Sequence, residues 1–259
     1  MKKILLSLLI YSLCTSVCHS ETGEFIVEDY ISGYKAIWTT NNQVTIEPGK
    51  AGDASNILYI ILSTNLTIDI AVSGTNGLDA GSETSNQWYA VYICSDGTTV
   101  FGLLSTNETT PTGPLFYRRV GYVMNNSNSD FMKFVQHWKG RTRRYKWDEA
   151  PSEIRPLLNG NATSYTDVDL SPYMPPSSRN ALIEMQFETG TGGSKSDDLK
   201  IKPSGTMFAF LKLSSGVKSS DKIIVPAQIS TDSSQIISYH VTASANGVTI
   251  LVRGFDDEI

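Results

Sequence analysis

The sequence predicts an all-β protein, built as two antiparallel β-sandwich or barrel-like domains. Three observations carry that expectation. Beyond the first twenty residues, nearly every apolar segment has strand length and β-branched or aromatic character. The segments between them are rich in Asn, Gly, Ser and Asp, such as "TTNNQ", "SGTNGLDAGSETSN" and "NNSNSD". No stretch carries apolar residues at the three-to-four spacing of a long amphipathic helix.

The elements follow in order. Residues 1–20 read as a secretory signal peptide: a basic "MKK", the apolar run Ile4 to Leu13, then small residues at Cys18 and Ser20 before a cut at Ser20/Glu21. The run falls short of the roughly 20 residues that a membrane span needs. Strands are expected at 34–40, 43–48, 56–64 and 66–74. In "QWYAVYICSDGTTVFGLLST" (87–106) both faces of the first strand are apolar or aromatic, so it is expected to be covered on both sides. Ser95-Asp96-Gly97 supplies its turn. Further strands are expected at 118–125, 130–138 and 142–149.

The stretch 150–180 holds 5 of the chain's 10 prolines and reads as a loop, with "PSEIRPLL" able to form a short helical turn. A domain boundary is placed near it. The N-terminal β domain is thus residues 21–150 and the C-terminal β-sandwich domain residues 151–259. Strands in the second part are expected at 181–190, 206–214, 222–230, 235–243 and 247–259. In "IISYHVTA", Ile237, Tyr239 and Val241 alternate with polar residues, the pattern of a half-exposed strand.

Charge and cysteine content narrow the function classes. The 259-residue chain carries a formal charge of −5. Without residues 1–20 it has 19 basic against 26 acidic residues, that is −7. An acidic balance makes nucleic acid and anionic lipid poor general partners. Of the 3 cysteines only Cys94 lies beyond the leader, so an intramolecular disulfide is excluded after its removal. Cys94 follows the apolar side of a strand and reads as a buried thiol.

One set of motifs resembles a known family. "GLDAGSETSNQWYAVYICSD", followed by "GLLSTNETTPTGPLFYRRVGYVMNNSNSDFMKFVQ", resembles segments of bacteriophage tail-fibre and related virion structural proteins. The matching positions are Gly77, Leu78, Asp79, Gly81, Ser82, Trp88, Tyr89, Pro111, Thr112, Arg118, Arg119, Val120, Gly121, Phe131, Lys133 and Phe134. The run "NGNATSYTDVDLSPYMPPSSRNALIEMQFETG" and the ending "ISYHVTASANGVTILVRGFDDEI" are similar to the continuation of the same proteins. The resemblance implies a scaffold or receptor-recognition role, often as a homo-oligomer, and supplies no active site. The leader departs from that family's pattern and implies a phage-type module on an exported protein.

Catalytic chemistry finds little support in the residues. His137 and His240 stand on separate strands, and no metal-ligand spacing is present, so no metal or cofactor is expected. The acidic clusters 147–153, 188–198 and 255–259 fall at strand ends or the terminus, where charge is normally solvated. "TGTGGSK" (189–195) lacks phosphate-loop spacing and reads as a hairpin tip. The most distinctive stretch is "KFVQHWKGRTRRYKWDEA" (133–150). Trp138, Lys139, Arg141, Arg143 and Arg144 are the candidate ligand-binding residues, for an anionic surface glycan. The competing reading of the same stretch is a hairpin with Tyr145 and Trp147 inward and Arg144 and Lys146 outward, its charges guarding an edge.

The function expected is therefore a non-enzymatic, exported, tail-fibre-like structural or surface-recognition protein. A bacterial surface glycan is its expected ligand, with no nucleic acid and no integral membrane segment once the leader is gone. A secreted glycan-binding adhesin and a polysaccharide or cell-wall hydrolase remain the alternatives.

Overall fold

Strand alternation builds this protein, and a single long strand at the C-terminus ties it together. The computed structural model describes residues 26–139, 142–188, 198–207, 211–214, 222–243 and 247–259. Residues 1–20, expected as a signal peptide, together with Gly140, Arg141 and the segment 189–195, lie outside the described residues.

In chain order the strands are β1 (Ile31–Gly33), β2 (Ala36–Thr40), β3 (Gln43–Ile46), β4 (Gly49–Gly52), β5 (Tyr59–Leu62), β6 (Leu66–Asp69) and β7 (Gly77–Leu78). Next come β8 (Gln87–Ser95), β9 (Val100–Ser105), β10 (Phe116–Asn125), β11 (Phe134–Lys139), β12 (Thr142–Trp147), β13 (Leu157–Gly160) and β14 (Thr166–Asp169). Then follow β15 (Asn180–Glu188), β16 (Asp198–Pro203), β17 (Leu211–Ser214), β18 (Lys222–Ser230), β19 (Ile236–Val241) and β20 (Gly247–Glu258). The expected class holds: the chain is all-β, with antiparallel sheets forming sandwich-like domains. Among the described strands β7 pairs with β9 in parallel, and a single parallel bridge joins Ser73 to Leu78.

The principal sheet runs β18-β15-β20-β12-β11-β2-β3-β6, with β13 attached to β20. It crosses residue 150, because Thr142 pairs with Glu258 and Lys146 with Gly254. Smaller sheets are β1-β4-β5, β10-β8-β9-β7 and β14-β19-β16-β17. The segment 150–180, expected as a loop, holds β13, β14 and a short 3-10 turn at Ser171–Tyr173. "PSEIRPLL" forms turn and strand, not helix. β14 is an edge strand and β13 branches off the main path, which agrees with prolines keeping central pairing out of the segment.

The hairpin of β8 and β9 is scaffold. Residues 88–95 are all buried, as two apolar faces require. Asp96 accepts hydrogen bonds from the Thr98 and Thr99 amides, and Gly97 takes φ 98° between the strands. Cys94 is buried, and that burial pushes its thiol well above the ordinary range. Trp88 reaches across to the principal sheet. Its ring stands edge-on to Phe255 at 5.6 Å and tilted to Trp147 at 5.9 Å, and its indole N–H donates to the Ser171 carbonyl. Tyr145 stacks on Phe255 at 4.6 Å. These rings form the joint between two sheets.

The motif residues quoted above for the family resemblance do structural work of the same kind. Asp79 accepts from the Thr112 amide and the Ser105 hydroxyl, tying "GLDAG" to the Pro-Thr turn. A bulge between Arg119 and Gly121 turns Val120 into the core. Gly121 lies where the Tyr145 hydroxyl docks, and a Cβ there would collide with that oxygen.

Candidate recognition surface

The hairpin of β11 and β12 divides its side chains by the period-two rule. Arg143, Tyr145 and Trp147 are buried; Arg144 and Lys146 face outward. The second of the two expected arrangements for this stretch therefore describes it, and Arg143 is not an exposed ligand contact. The correction follows from alternation itself, since Arg143 shares a face with Tyr145. The protein makes that burial tolerable by offering acceptors. Arg143 donates to the carbonyls of Tyr34 and Gly33 and to Gln136 Oε1. Gly33 and Tyr34 take φ of 75° and 58°, turning both carbonyls toward it. Desolvation pulls the guanidinium down to about 10. Trp138, 40% exposed, covers it as a cation–π lid at 4.4 Å.

Arg144 is outward but engaged. It grips Asp256 through two bonds of 2.7 Å and reaches Gln228 Oε1. Lys139 ends β11, opposite Thr142, and Arg141 lies outside the described residues. The structure thus brings Trp138 and Arg143 together and commits Arg144 to an ion pair.

The acidic ending departs from expectation as well. Asp256 and Asp257 are buried, not solvated. Asp257 accepts two bonds from Arg119 at 2.9 and 3.0 Å, and Arg119 also donates to the Glu258 carbonyl. Burial pushes the Glu184 carboxyl up, but hydrogen bonds from Gln186 and from Arg253 on the neighbouring strand draw it below its ordinary range. The Asp256, Asp257 and Glu184 carboxylates are thus used in ties between strands. Elsewhere, Asp198 pairs with Lys212 at 3.0 Å. Among the described residues, no three His, Cys, Asp or Glu side chains gather at metal-binding range, and no helix is long and apolar enough to cross a membrane. His137 and His240 stand in different sheets.

A surface that sequence reasoning passed over lies at the β2–β3 turn. An open cleft of about 530 Å³ is lined by Trp38, Thr40, Asn41, Asn42, Gln43 and Asp69. The turn is anchored from both sides: Phe131 N–H donates to the Asn41 carbonyl and Ile70 N–H to that of Asn42. Trp38 is fixed by an indole bond of 3.0 Å to the Phe131 carbonyl. Gln43 donates to Asp69 at 2.8 Å. Asn41 and Asn42 are exposed. "TTNNQ" signals only a turn, and Trp38 immediately before it is the missed cue.

No family model matches this chain, and no curated protein sequence does. One solved structure, of infectious bursal disease virus Gx strain, aligns with 97% of this chain and 80% of its own. Its identity is 11% and its TM-score 0.22, which establishes no shared fold.

Chemically, the cleft offers amide donors and acceptors, hydroxyls, one carboxylate and an indole held in place. Such a set pairs with the hydroxyls and C–H faces of a sugar.

Proposed function

We propose that the protein is an exported, non-enzymatic surface-recognition or structural protein of the tail-fibre type, and that the cleft beside Trp38 is its contact with a bacterial surface glycan. The observation that supports the reading most is the division of labour among its polar groups. The arginines and carboxylates around β20 are consumed in holding strands together. The open cleft carries neutral amides and hydroxyls beside an anchored indole, which suits binding more than proton transfer.

The test is to incubate the purified protein with capsule, lipopolysaccharide and peptidoglycan, measuring co-sedimentation and released fragments together. Binding without fragments is expected. Asn41→Ala with Asn42→Ala should weaken binding about tenfold, the loss of one or two exposed hydrogen bonds, with the melting temperature unchanged. Fragment release abolished by changing a carboxylate pair would make the protein a hydrolase instead. Undiminished binding in the double variant would move the contact elsewhere.

A further inference from the structure

Neutral polar groups continue past the cleft along the sheet face that carries it. On β3 and β6, Val44, Ile46 and Ile68 are buried, so Gln43, Thr45, Thr67 and Asp69 share the outer face. Thr45 stands opposite Thr67, and Gln43 opposite Asp69. The Thr39 hydroxyl donates to Thr45 Oγ1 at 2.8 Å, and the hydroxyls of Thr45 and Thr67 share a bond of 3.1 Å. The row of Thr67 and Thr45 runs on into Ile37 and Val135, the latter exposed. Asp69 is the one charged residue in β2, β3 and β6. It makes no ion pair among the described residues. Its Oδ2 accepts from Gln43 and its Oδ1 from the Ala71 amide, which leaves each oxygen able to accept again. The nearest cations on the page are placed elsewhere. Lys133 lies over the Trp38 ring at 5.2 Å, and Lys146 enters the row only beyond Val135.

We infer that the glycan taken by the cleft is an uncharged polysaccharide, laid from the Asn41–Asn42 turn across the Thr45–Thr67 pair, with Asp69 as the residue that turns acidic glycans away. The inference rests on the surface-recognition reading and names the ligand class of that same site. It departs from the anionic ligand that the basic stretch at 138–144 suggests, because Arg143 there is buried and Arg144 is tied to Asp256. Sugar hydroxyls both donate and accept, as do threonine hydroxyls and side-chain amides. Asp69 only accepts, and a sugar hydroxyl would give it a charge-assisted bond. A uronate, sulfate or phosphate in that place would set like charge against a carboxylate with no cation paired to it. Two residues along a strand span about 7 Å, so the threonine pair lengthens the polar surface beyond the Gln43–Asp69 pair and a chain can follow it. Ile37 and Val135 then offer apolar surface to the C–H faces of its rings.

The test divides polysaccharide stripped from bacterial cells by anion exchange into an unretained neutral pool and a salt-eluted acidic pool. Each pool is then tested for co-sedimentation with the bead-bound intact protein. The neutral pool should bind, equally at low and high salt, and the acidic pool should not. Asp69→Asn should weaken binding of the neutral pool about tenfold, the loss of one charge-assisted bond, and should admit the acidic pool. Thr45→Val with Thr67→Val keeps the shape and the strand preference, and should weaken neutral-pool binding about fivefold at an unchanged melting temperature. Binding of the acidic pool by wild type, release of the neutral pool by salt, or undiminished binding in either variant would overturn the inference and leave the recognition reading standing. If neither pool binds, the recognition reading itself fails and the inference falls with it.

Discussion

Gly121→Ala is predicted to be costly for one reason, and a second substitution should remove that reason. The added methyl would collide with the Tyr145 hydroxyl oxygen. Tyr145 cannot step aside freely, because it is buried and stacked on Phe255 at 4.6 Å. Its hydroxyl accepts the Tyr122 amide at 3.1 Å and the Gln136 side-chain amide at 2.6 Å. Overpacking costs about 1–3 kcal/mol, and disturbing two buried hydrogen bonds adds about 2. The single substitution should therefore cost about 3–5 kcal/mol. Tyr145→Phe alone leaves two buried donors without an acceptor and should cost about 2–4 kcal/mol. In that background the methyl's next neighbours are Gln136 Nε2 at 3.3 Å and the ring carbon Cζ at 3.5 Å, contacts that small adjustments absorb. Gly121→Ala should then cost less than about 1 kcal/mol, giving a coupling of about 2–4 kcal/mol. Chemical denaturation of the wild type, both single variants and the double variant measures this directly. Additive costs within about 0.5 kcal/mol would refute the claim that Gly121 exists to seat the hydroxyl.

Trp88→Ala should cost about 3–5 kcal/mol, since it empties the joint between two sheets; binding lost at unchanged thermal stability would mark Trp88 as a contact residue instead. The Asp96 carboxyl, held by the Thr99 and Thr98 amides, is lowered from 3.8 to about 2. A depressed folded value stabilises the turn above the unfolded value and is lost as pH falls from 3.8 toward about 2, so carboxyl NMR should find its midpoint near 2 and not near 3.8. The mature N-terminus should be Glu21 or a near neighbour by intact mass; a cytoplasmic protein retaining Met1 would sink the export reading.

The sequence disclosed most where one residue's neighbours sufficed to determine its face. β8 was legible because both of its faces are apolar, and β19 because Ile237, Tyr239 and Val241 alternate cleanly. β16 was not, since "DLKIKP" offers only Leu199 and Ile201 as apolar signal amid charge. Arg143 shows the same limit at the candidate site. Its alternation with Tyr145 and Trp147 was visible, yet its basic character argued for the surface. What permits its burial is a pair of carbonyls at Gly33 and Tyr34, more than a hundred residues earlier in the chain. Asp257 was hidden likewise, because its partner Arg119 comes from a strand 138 residues away. The cleft needed Trp38, the β2–β3 turn and Asp69 to meet, and only β3–β6 pairing brings Asp69 beside Gln43.

Amide hydrogen exchange, recorded with and without a soluble fragment of the envelope glycan that co-sediments with the protein, tests the recognition reading most directly. The account predicts slowed exchange at residues 39–43 and around Asp69, no change in the β8–β9 hairpin, and an intact glycan after incubation. Slowed exchange confined to other surfaces, or glycan returned as shorter fragments, would contradict it.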